Sequence, residues 1–269
     1  MVMELYLFLN QKSQLEINLE KIHKMVKRKK SYNYLLSLRK KYLKKYKIDI
    51  NPIPPSQKNV YKVEPQIFDQ SRIFFKIHPR PHYFPFCREY DYHKYCLSKV
   101  KVDGLWVEFG SFNGVSARYL TTMKEGMFPD IKTLFHGFDS FEGLPEDWEG
   151  TSTKKGALSS FKSIPKISGT KFHKGWFKDT IPKFLKNYRK PFSFVHIDSD
   201  IYSSAVDIFV LAKDRFVPGT VILFDEIIGY DAWKLHEFKA FKEFVKKNNI
   251  EYEWIAAVAN AGQAACIIK

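Results

Sequence analysis

The pattern of apolar and polar residues changes twice along the chain. From Leu15 to Tyr46 apolar positions recur at helical spacing, and the NPIPP run at 51–55 ends this pattern because proline lacks a backbone donor and restricts its predecessor. Residues 56–98 are rich in aromatics and proline and show no clear period. After Gly104, short apolar runs alternate with amphipathic segments, which predicts a parallel sheet covered by helices on both faces.

Seven apolar runs after Gly104 have the length and composition of buried strands. They are Leu105–Phe109, Thr133–Phe138, Lys171–His173, Phe192–Ile197, Thr220–Phe224, Tyr252–Ile255 and Ala264–Ile268. Helices are predicted near 114–126, 178–188, 203–215 and 233–248. No helix-length spacer separates the last two strands, which predicts a final antiparallel hairpin. The expected fold is a doubly wound α/β domain with a seven-stranded, mostly parallel sheet, preceded by a helical N-terminal extension.

These changes divide the chain into three parts. Residues 1–55 are predicted to form a basic helical extension and linker, 56–103 an aromatic and Pro-rich lid or accessory segment, and 104–269 the α/β domain. The Leu5–Leu9 run is far shorter than the roughly 20 apolar residues that span a bilayer, and no cleavage site follows it. Three cysteines without C-x-x-C spacing suggest neither a disulfide framework nor a zinc site. A protein of the reducing cytoplasm is expected.

The net charge of +15 is concentrated at the N-terminus. Residues 1–50 carry eleven Lys and two Arg against four acidic residues, a net charge of +9. Such a pattern is typical of a solvated helical face. Contact with an anionic surface, such as a phosphorylated glycan, lipid headgroups or nucleic acid, is the alternative.

The segment VEFGSFNG at 107–114 begins in a predicted strand and ends at a predicted helix. Its glycines therefore lie where the backbone turns sharply and can approach a ligand. The Gly110-x-x-x-Gly114 spacing differs from the G-x-G-x-x-G of dinucleotide folds, so a pyrophosphate site matches poorly. Turn glycines without any ligand are the alternative interpretation.

Carboxylates flank the same predicted crevice. Asp139 follows the second predicted strand, where an acidic side chain can accept hydrogen bonds from both hydroxyls of a ribose. Glu108 at the first strand can hold an ammonium group, which a methionine-derived cofactor carries and a nicotinamide dinucleotide lacks at that point. Helix capping and turn formation are the alternative roles for these acids.

Four more acids end the fourth and fifth predicted strands of the domain. Because the carboxyl ends of parallel strands meet at one edge, these side chains should crowd together and repel one another unless a proton or a cation neutralises them. Their oxygens favour a hard cation, Mg²⁺ rather than Zn²⁺. Capping of the helices that follow is again the alternative. The four are Asp198, Asp200, Asp225 and Glu226.

Five motifs taken together resemble the macrocin O-methyltransferase family of class I, Rossmann-like, S-adenosylmethionine-dependent methyltransferases. The motifs are VEFGSFNG at 107–114, FDSFEGLP at 138–145, KGWFKDTIP at 174–182, HIDSDIYS at 196–203 and FDE at 224–226. The resemblance covers about residues 104–268. It implies an O-methyltransferase that uses S-adenosylmethionine and a divalent metal, predicted to be Mg²⁺.

The resemblance also implies roles for individual residues. Those expected to bind the cofactor are Glu108, Gly110, Ser111, Gly114, Asp139, Ser140, Gly175 and Trp176, with Asp139 at the ribose and Gly175 and Trp176 near the adenine. Asp198, Asp225 and Glu226 are expected to hold the metal. Family members often carry two aspartates where this chain has Asp225-Glu226.

Methyl transfer from a sulfonium is an in-line displacement, so the acceptor oxygen must be aligned and made more nucleophilic. We hypothesise that Asp198 is both a metal ligand and the proton acceptor. His196 is expected to be a core histidine, while His173 and His236 are alternative bases.

The family acts on hydroxyls of sugars and of antibiotic or surface-glycan precursors, which makes a sugar or glycan hydroxyl the expected acceptor. A nucleic-acid methyltransferase, motivated by the basic N-terminus, and a non-catalytic protein that binds anionic surfaces are the alternatives. A homo-oligomer in which the N-terminal segments pack across a dimer is a further expectation.

Overall fold

The computed structural model describes residues 82–84, 89–258 and 262–269. The basic helical extension predicted at 1–55 lies outside the described residues, as do Cys87 and most of the segment 56–103. The predicted division of the chain at 55 and 103 therefore stays a prediction. Within the described residues, no helix combines the length and the apolar character that a transmembrane span requires.

The described residues form eight strands and five α-helices. In chain order they are β1 (His82–Phe84), α1 (Glu89–Leu97), β2 (Leu105–Phe109), α2 (Val115–Met127), β3 (Phe135–Asp139), β4 (Thr170–Lys174), α3 (Phe177–Asn187), β5 (Phe192–Ile197), α4 (Tyr202–Leu211), β6 (Val221–Phe224), α5 (Glu237–Lys247), β7 (Tyr252–Val258) and β8 (Ala264–Ile268). Two short 3₁₀ turns, Lys213–Arg215 and Trp233–Leu235, follow α4 and precede α5.

The strands form a single sheet in the order β1-β7-β8-β6-β5-β2-β3-β4. Every neighbouring pair is parallel except those of β8, which runs antiparallel to both β6 and β7. The seven predicted strands and the predicted C-terminal hairpin are thus confirmed. An eighth, short strand was not predicted: β1 extends the sheet by pairing in parallel with β7, with His82 opposite Ala256.

Strand β3 pairs with one edge of β2, and the chain later returns to place β5 along the other edge of β2. This reversal opens a crevice at the carboxyl ends of β2 and β5, the place where open α/β sheets bind ligands. All residues of β2, β5 and β6 are buried, as expected for strands covered on both faces. Helices α4 and α5 cover one face, where the rings of Phe209 and Phe244 stack at 4.9 Å.

Two predicted helices end or begin at different residues. The helix predicted at 203–215 ends at Leu211, and the one predicted at 233–248 begins only at Glu237, because the backbone of His236 leaves the helical region with φ −113° and ψ −125°. Helix α1 interrupts a segment predicted to be irregular. Its Tyr92, Cys96 and Leu97 are fully buried, and α1 packs against α2, β6 and β7.

Candidate functional site

A cleft of about 530 Å³ opens at the carboxyl ends of the central strands. Its walls come from the loops after β2, β3, β4 and β5, and from the first turns of α3 and α4. The lining residues include Gly110, Phe112, Asp139, Ser140, Leu144, Lys155, Leu158, Gly175, Trp176, Lys178, Asp198, Asp200, Ser203, Ser204 and Asp207. Six of the predicted site residues therefore meet in one cavity.

The loop after β2 passes very close to the end of β5. Gly110 has φ +95°, and a Cβ atom placed on it would lie 1.6 Å from the carbonyl oxygen of Asp198. Only glycine fits this position, both because of its backbone conformation and because of the space available. The Asp198 N–H donates to the Phe109 carbonyl at 2.9 Å. The predicted cofactor loop and the first acid of the predicted metal site are thus in direct backbone contact.

Asp139 is held rigidly at the end of β3. Its Oδ2 accepts a hydrogen bond from the Phe112 N–H at 2.7 Å, and its Oδ1 accepts one from the Phe141 N–H at 2.5 Å. Each carboxylate oxygen keeps a second lone pair, which can accept a hydrogen bond from a ligand hydroxyl in the cleft. Burial raises the pKa of Asp139 above its ordinary value, although the backbone hydrogen bonds oppose this change. Ser140 forms the adjoining turn by accepting from the Glu142 N–H at 3.0 Å.

Gly175 and Trp176 form the wall of the cleft that continues from β4. Gly175 has φ +134° and its N–H donates to the Asp139 carbonyl at 2.9 Å, which ties this wall to the end of β3. Trp176 precedes the first residue of α3 in an extended conformation and lines the cleft. An aromatic ring beside a carboxylate is a suitable surface for a nucleoside base and ribose.

Glu108 and Ser111 lie beneath the cofactor loop and are not part of the cleft lining. Glu108 is fully buried, its Oε2 accepts from the Ser111 hydroxyl at 2.7 Å, and its Oε1 lies 3.0 Å from Nδ1 of His196. Burial lowers the pKa of His196, but its hydrogen bond to Glu108, with the charges of Glu108 and Asp225, outweighs this and raises the pKa. Contact of Glu108 and Ser111 with a cofactor stays a prediction.

The structure brings three acids together at the end of β5 and β6. One carboxylate oxygen from each of Asp198, Asp200 and Glu226 lies within 4.8 Å of the other two. Asp200 belongs to this group because its backbone adopts φ +63° and turns the chain into α4. Asp225, which is predicted to be a metal ligand, is not in this group and accepts a hydrogen bond from Nε2 of Gln263 at 2.5 Å. Its role as a ligand stays a prediction.

The electrostatics of the three acids fit a divalent cation. Burial and mutual repulsion raise the pKa of Asp198 and Glu226 well above their ordinary values and raise the pKa of Asp200 to about 6. A bound cation would relieve this repulsion, and an all-oxygen donor set suits Mg²⁺ better than softer metals.

Sequence reasoning missed Glu237, which supports the acids from behind. Glu237 is the first residue of α5 and is fully buried, and its Oε1 accepts hydrogen bonds from both the N–H and the hydroxyl of Ser199, at 2.8 and 2.9 Å. Ser199 lies between Asp198 and Asp200, so Glu237 fixes the turn that carries both. In the sequence it is indistinguishable from an ordinary acid in the first turn of a helix.

The two alternative histidine bases have structural partners. Nε2 of His236 lies 2.8 Å from the Glu149 carbonyl, and its Nδ1 accepts from the Tyr202 N–H at 3.3 Å, so both ring nitrogens are used. Nε2 of His173 lies 3.1 Å from Nδ1 of His136. Within the described part of the chain, neither histidine is among the residues that line the cleft.

The strand order, the glycine turn after β2 and the acid that ends β3 define the class I fold of S-adenosylmethionine-dependent methyltransferases. Residues 107–227 match a family described as "Methyltransferase domain". These two findings confirm the predicted class I methyltransferase. No curated protein sequence matches the chain.

Two solved structures of CalS11 agree with this fold, and NovP is a further similar structure. The calicheamicin methyltransferase CalS11 has a TM-score of 0.55 at 16% identity, over 65% of this chain and 76% of its own. The apo structure of CalS11, described as a TDP-rhamnose 3'-O-methyltransferase, has a TM-score of 0.50 at 15% identity, over 76% of this chain and 93% of its own. The O-methyltransferase NovP has a TM-score of 0.49 at 16% identity, over 77% and 97%. At these identities the narrower resemblance to the macrocin family stays a prediction.

Proposed function

We propose that the protein transfers a methyl group from S-adenosylmethionine to a hydroxyl of a sugar or a sugar-containing natural-product precursor, assisted by Mg²⁺. One observation carries this proposal: the glycine turn and the acid cluster touch each other, through Gly110 and the Asp198 carbonyl, within a single cleft. A methyl donor seated on the turn would therefore lie next to an acceptor oxygen held at the acids.

The cofactor half of the cleft supplies positioning. Asp139 would accept hydrogen bonds from the ribose hydroxyls, because its side chain is already oriented by two backbone N–H groups. Trp176 would lie against the adenine, and the methionine part of the donor would lie along the loop after β2 that contains Gly110. Glu108 and Ser111 would act indirectly, by fixing the loop from beneath.

The acid half of the cleft supplies the charge that the reaction requires. Asp198, Asp200 and Glu226 would hold Mg²⁺, which when bound lowers the pKa of an alcohol and orients it. Asp198 faces the cleft and would accept the proton that the acceptor hydroxyl releases. In this proposal Asp225 is not one of the three acids that hold the cation.

The acceptor class is inferred from the comparison and from the cleft wall. CalS11 is described as acting on TDP-rhamnose. Beyond the cofactor half, Ser203, Ser204 and Asp207 line the cleft and offer hydroxyl and carboxylate groups of the kind that bind sugar hydroxyls.

Four measurements test this proposal. Calorimetry should detect binding of S-adenosylmethionine and of its demethylated product, and mass spectrometry should detect methylation in a panel of nucleotide sugars. Activity should disappear in a chelator and return with Mg²⁺. Asp198→Asn should abolish transfer, whereas Asp214→Asn, an exposed acid away from the cleft, should not. Absence of donor binding by folded protein would refute the class of reaction, and full activity without divalent ions would refute the metal.

A further inference from the structure

Exposed apolar side chains are concentrated on the connection between β3 and β4. Leu158, Phe161 and Ile164 are 46%, 93% and 44% exposed, and Phe161 has the highest exposure among the large apolar side chains of the described residues. Across a shallow groove that Ile164 lines, Leu134 is 43% exposed. Apolar residues that are exposed as a group often mark an interaction surface, whereas single exposed apolar residues are ordinary.

The protein holds Phe161 in this exposed position. Phe161 has φ +53°, a backbone conformation that is unfavourable for a bulky residue. Its N–H donates to the Ser159 hydroxyl at 3.0 Å, and the Lys162 N–H donates to the Phe141 carbonyl at 2.8 Å. The Ser163 N–H closes the turn by donating to the Ser160 carbonyl at 3.0 Å. The ring therefore projects from an ordered turn.

The second half of this connection is basic. Residues 151–169 contain four lysines and no acidic residue, whereas residues 140–150 contain four acidic residues. A fifth lysine, Lys171, lies at the start of β4. Lys154 pairs with Asp147 at 3.0 Å and Lys162 lies 3.8 Å from Glu142. Lys155 and Lys166 form no ion pair within the described part of the chain. The apolar tip thus lies on a segment whose lysines are neutralised only in part by neighbouring acids.

We propose that residues 154–171, here called the basic apolar loop, dock on an anionic lipid surface. Phe161, flanked by Leu158 and Ile164, would enter the interface between headgroups and acyl chains, and the lysines would contact lipid phosphates. This surface is distinct from the N-terminal basic segment, and the proposal does not depend on which acceptor is methylated. Leu158 also lines the cleft, so docking would bring the cleft mouth close to the lipid surface.

Charge distinguishes this partner from a second copy of the chain. A symmetric contact through the basic apolar loop would place the lysines of one copy against those of the other, which is unfavourable. An anionic bilayer satisfies both properties of the loop, since its headgroups neutralise the lysines and its acyl chains accept the apolar tip.

The test is co-sedimentation of the full chain with vesicles of phosphatidylcholine alone or with about one third phosphatidylglycerol. The protein should bind the anionic vesicles, and Phe161→Ala should weaken that binding about tenfold, because the apolar contact of one buried phenyl ring is lost. The matched control is Val210→Ala, at a residue of α4 that is 57% exposed and lies outside the loop; it should bind like the unmodified protein. The exposure of Phe161 makes its replacement compatible with folding, which a thermal melt verifies.

Three results would overturn the proposal. The first is no binding of the unmodified chain to anionic vesicles at low salt. The second is binding that Phe161→Ala leaves unchanged, which would assign the membrane contact to another segment such as the basic N-terminus. The third is a dimer in sedimentation equilibrium that Phe161→Ala dissolves while vesicle binding is absent, which would make a second copy the occupant. As a positive check, Phe161→Trp should be quenched by brominated lipid more than Val210→Trp.

Discussion

Replacing Glu237 by alanine should both destabilise the protein and impair the acid cluster. The Glu237 carboxylate accepts hydrogen bonds from the N–H and the hydroxyl of Ser199, and Ser199 is itself buried. Each donor left without a partner in the interior costs about 1–3 kcal/mol, so Glu237→Ala, which leaves two, should lose about 2–6 kcal/mol of unfolding free energy. For a domain of this size the loss corresponds to a fall of about 5–20 °C in Tm.

Glu237→Gln separates the hydrogen bonds from the charge. The glutamine carbonyl can still accept from Ser199, so the loss of unfolding free energy at neutral pH should stay below about 1 kcal/mol. Burial raises the pKa of Glu237 from 4.5 to about 8, so the folded state holds the proton more tightly than the unfolded chain. Its contribution to stability is therefore present below pH 4.5 and is lost as the pH rises towards 8. Glu237→Gln should remove this dependence and become relatively more stable at alkaline pH.

The assays are thermal and urea unfolding from pH 5 to 9, together with kcat and KM for methyl transfer. Glu237→Ala should reduce kcat more than donor affinity, because the turn that carries Asp198 and Asp200 loosens while the cofactor wall does not. Glu243→Ala is the matched control: it lies on the same helix and loses one exposed hydrogen bond to Tyr202. Unfolding midpoints and kcat of Glu237→Ala equal to those of the control would refute the anchoring role of Glu237.

Three further predictions concern the cleft itself. Gly110→Ala should abolish cofactor binding or folding, since its Cβ would overlap the Asp198 carbonyl, and calorimetry with a thermal melt distinguishes the two effects. Asp200→Asn should weaken Mn²⁺ or Mg²⁺ binding at least about tenfold in a metal titration. Asp225→Asn should weaken it less, because Asp225 lies outside the group of three acids. If Asp225→Asn has the larger effect, Asp225 and not Asp200 is the ligand. Trp176→Ala should lower donor affinity by roughly tenfold without changing the metal titration, and equal affinities would remove this ring from the cofactor site.

The sheet was predictable because its strands carry a strong local signal. The runs at 105–109, 192–197 and 221–224 are apolar throughout, and each became a central strand buried on both faces. The end of each run then located the crevice, since parallel strands place their carboxyl ends at one edge. Helix α1 gave no such signal, because the sequence EYDYHKYCL has a weak apolar period and the helix packs against α2, β6 and β7, which follow it in the chain.

The grouping of the acids was less predictable because it depends on backbone direction at two strand ends. Asp225 and Glu226 follow the end of β6, where Asp225 meets Gln263 from the C-terminal hairpin and Glu226 joins Asp198 and Asp200. Asp200 reaches the cluster because its backbone is in the left-handed region. Aspartate tolerates this conformation, but its presence in the sequence does not predict it. Glu237 is 38 residues from its partner Ser199, a separation that no local pattern encodes.

These contacts also determine how cleanly binding and chemistry can be separated by mutation. Asp139 is oriented by the N–H groups of Phe112 and Phe141, whereas the turn that bears Asp198 and Asp200 is held by Glu237. The two halves of the cleft therefore have independent supports, and they meet at Gly110. A variant in the acid cluster should consequently keep its affinity for the donor while losing methyl transfer. A variant of Asp139 should lose affinity for the donor while keeping methyl transfer at saturating acceptor. Only a change at Gly110 should remove both, because that contact belongs to both halves.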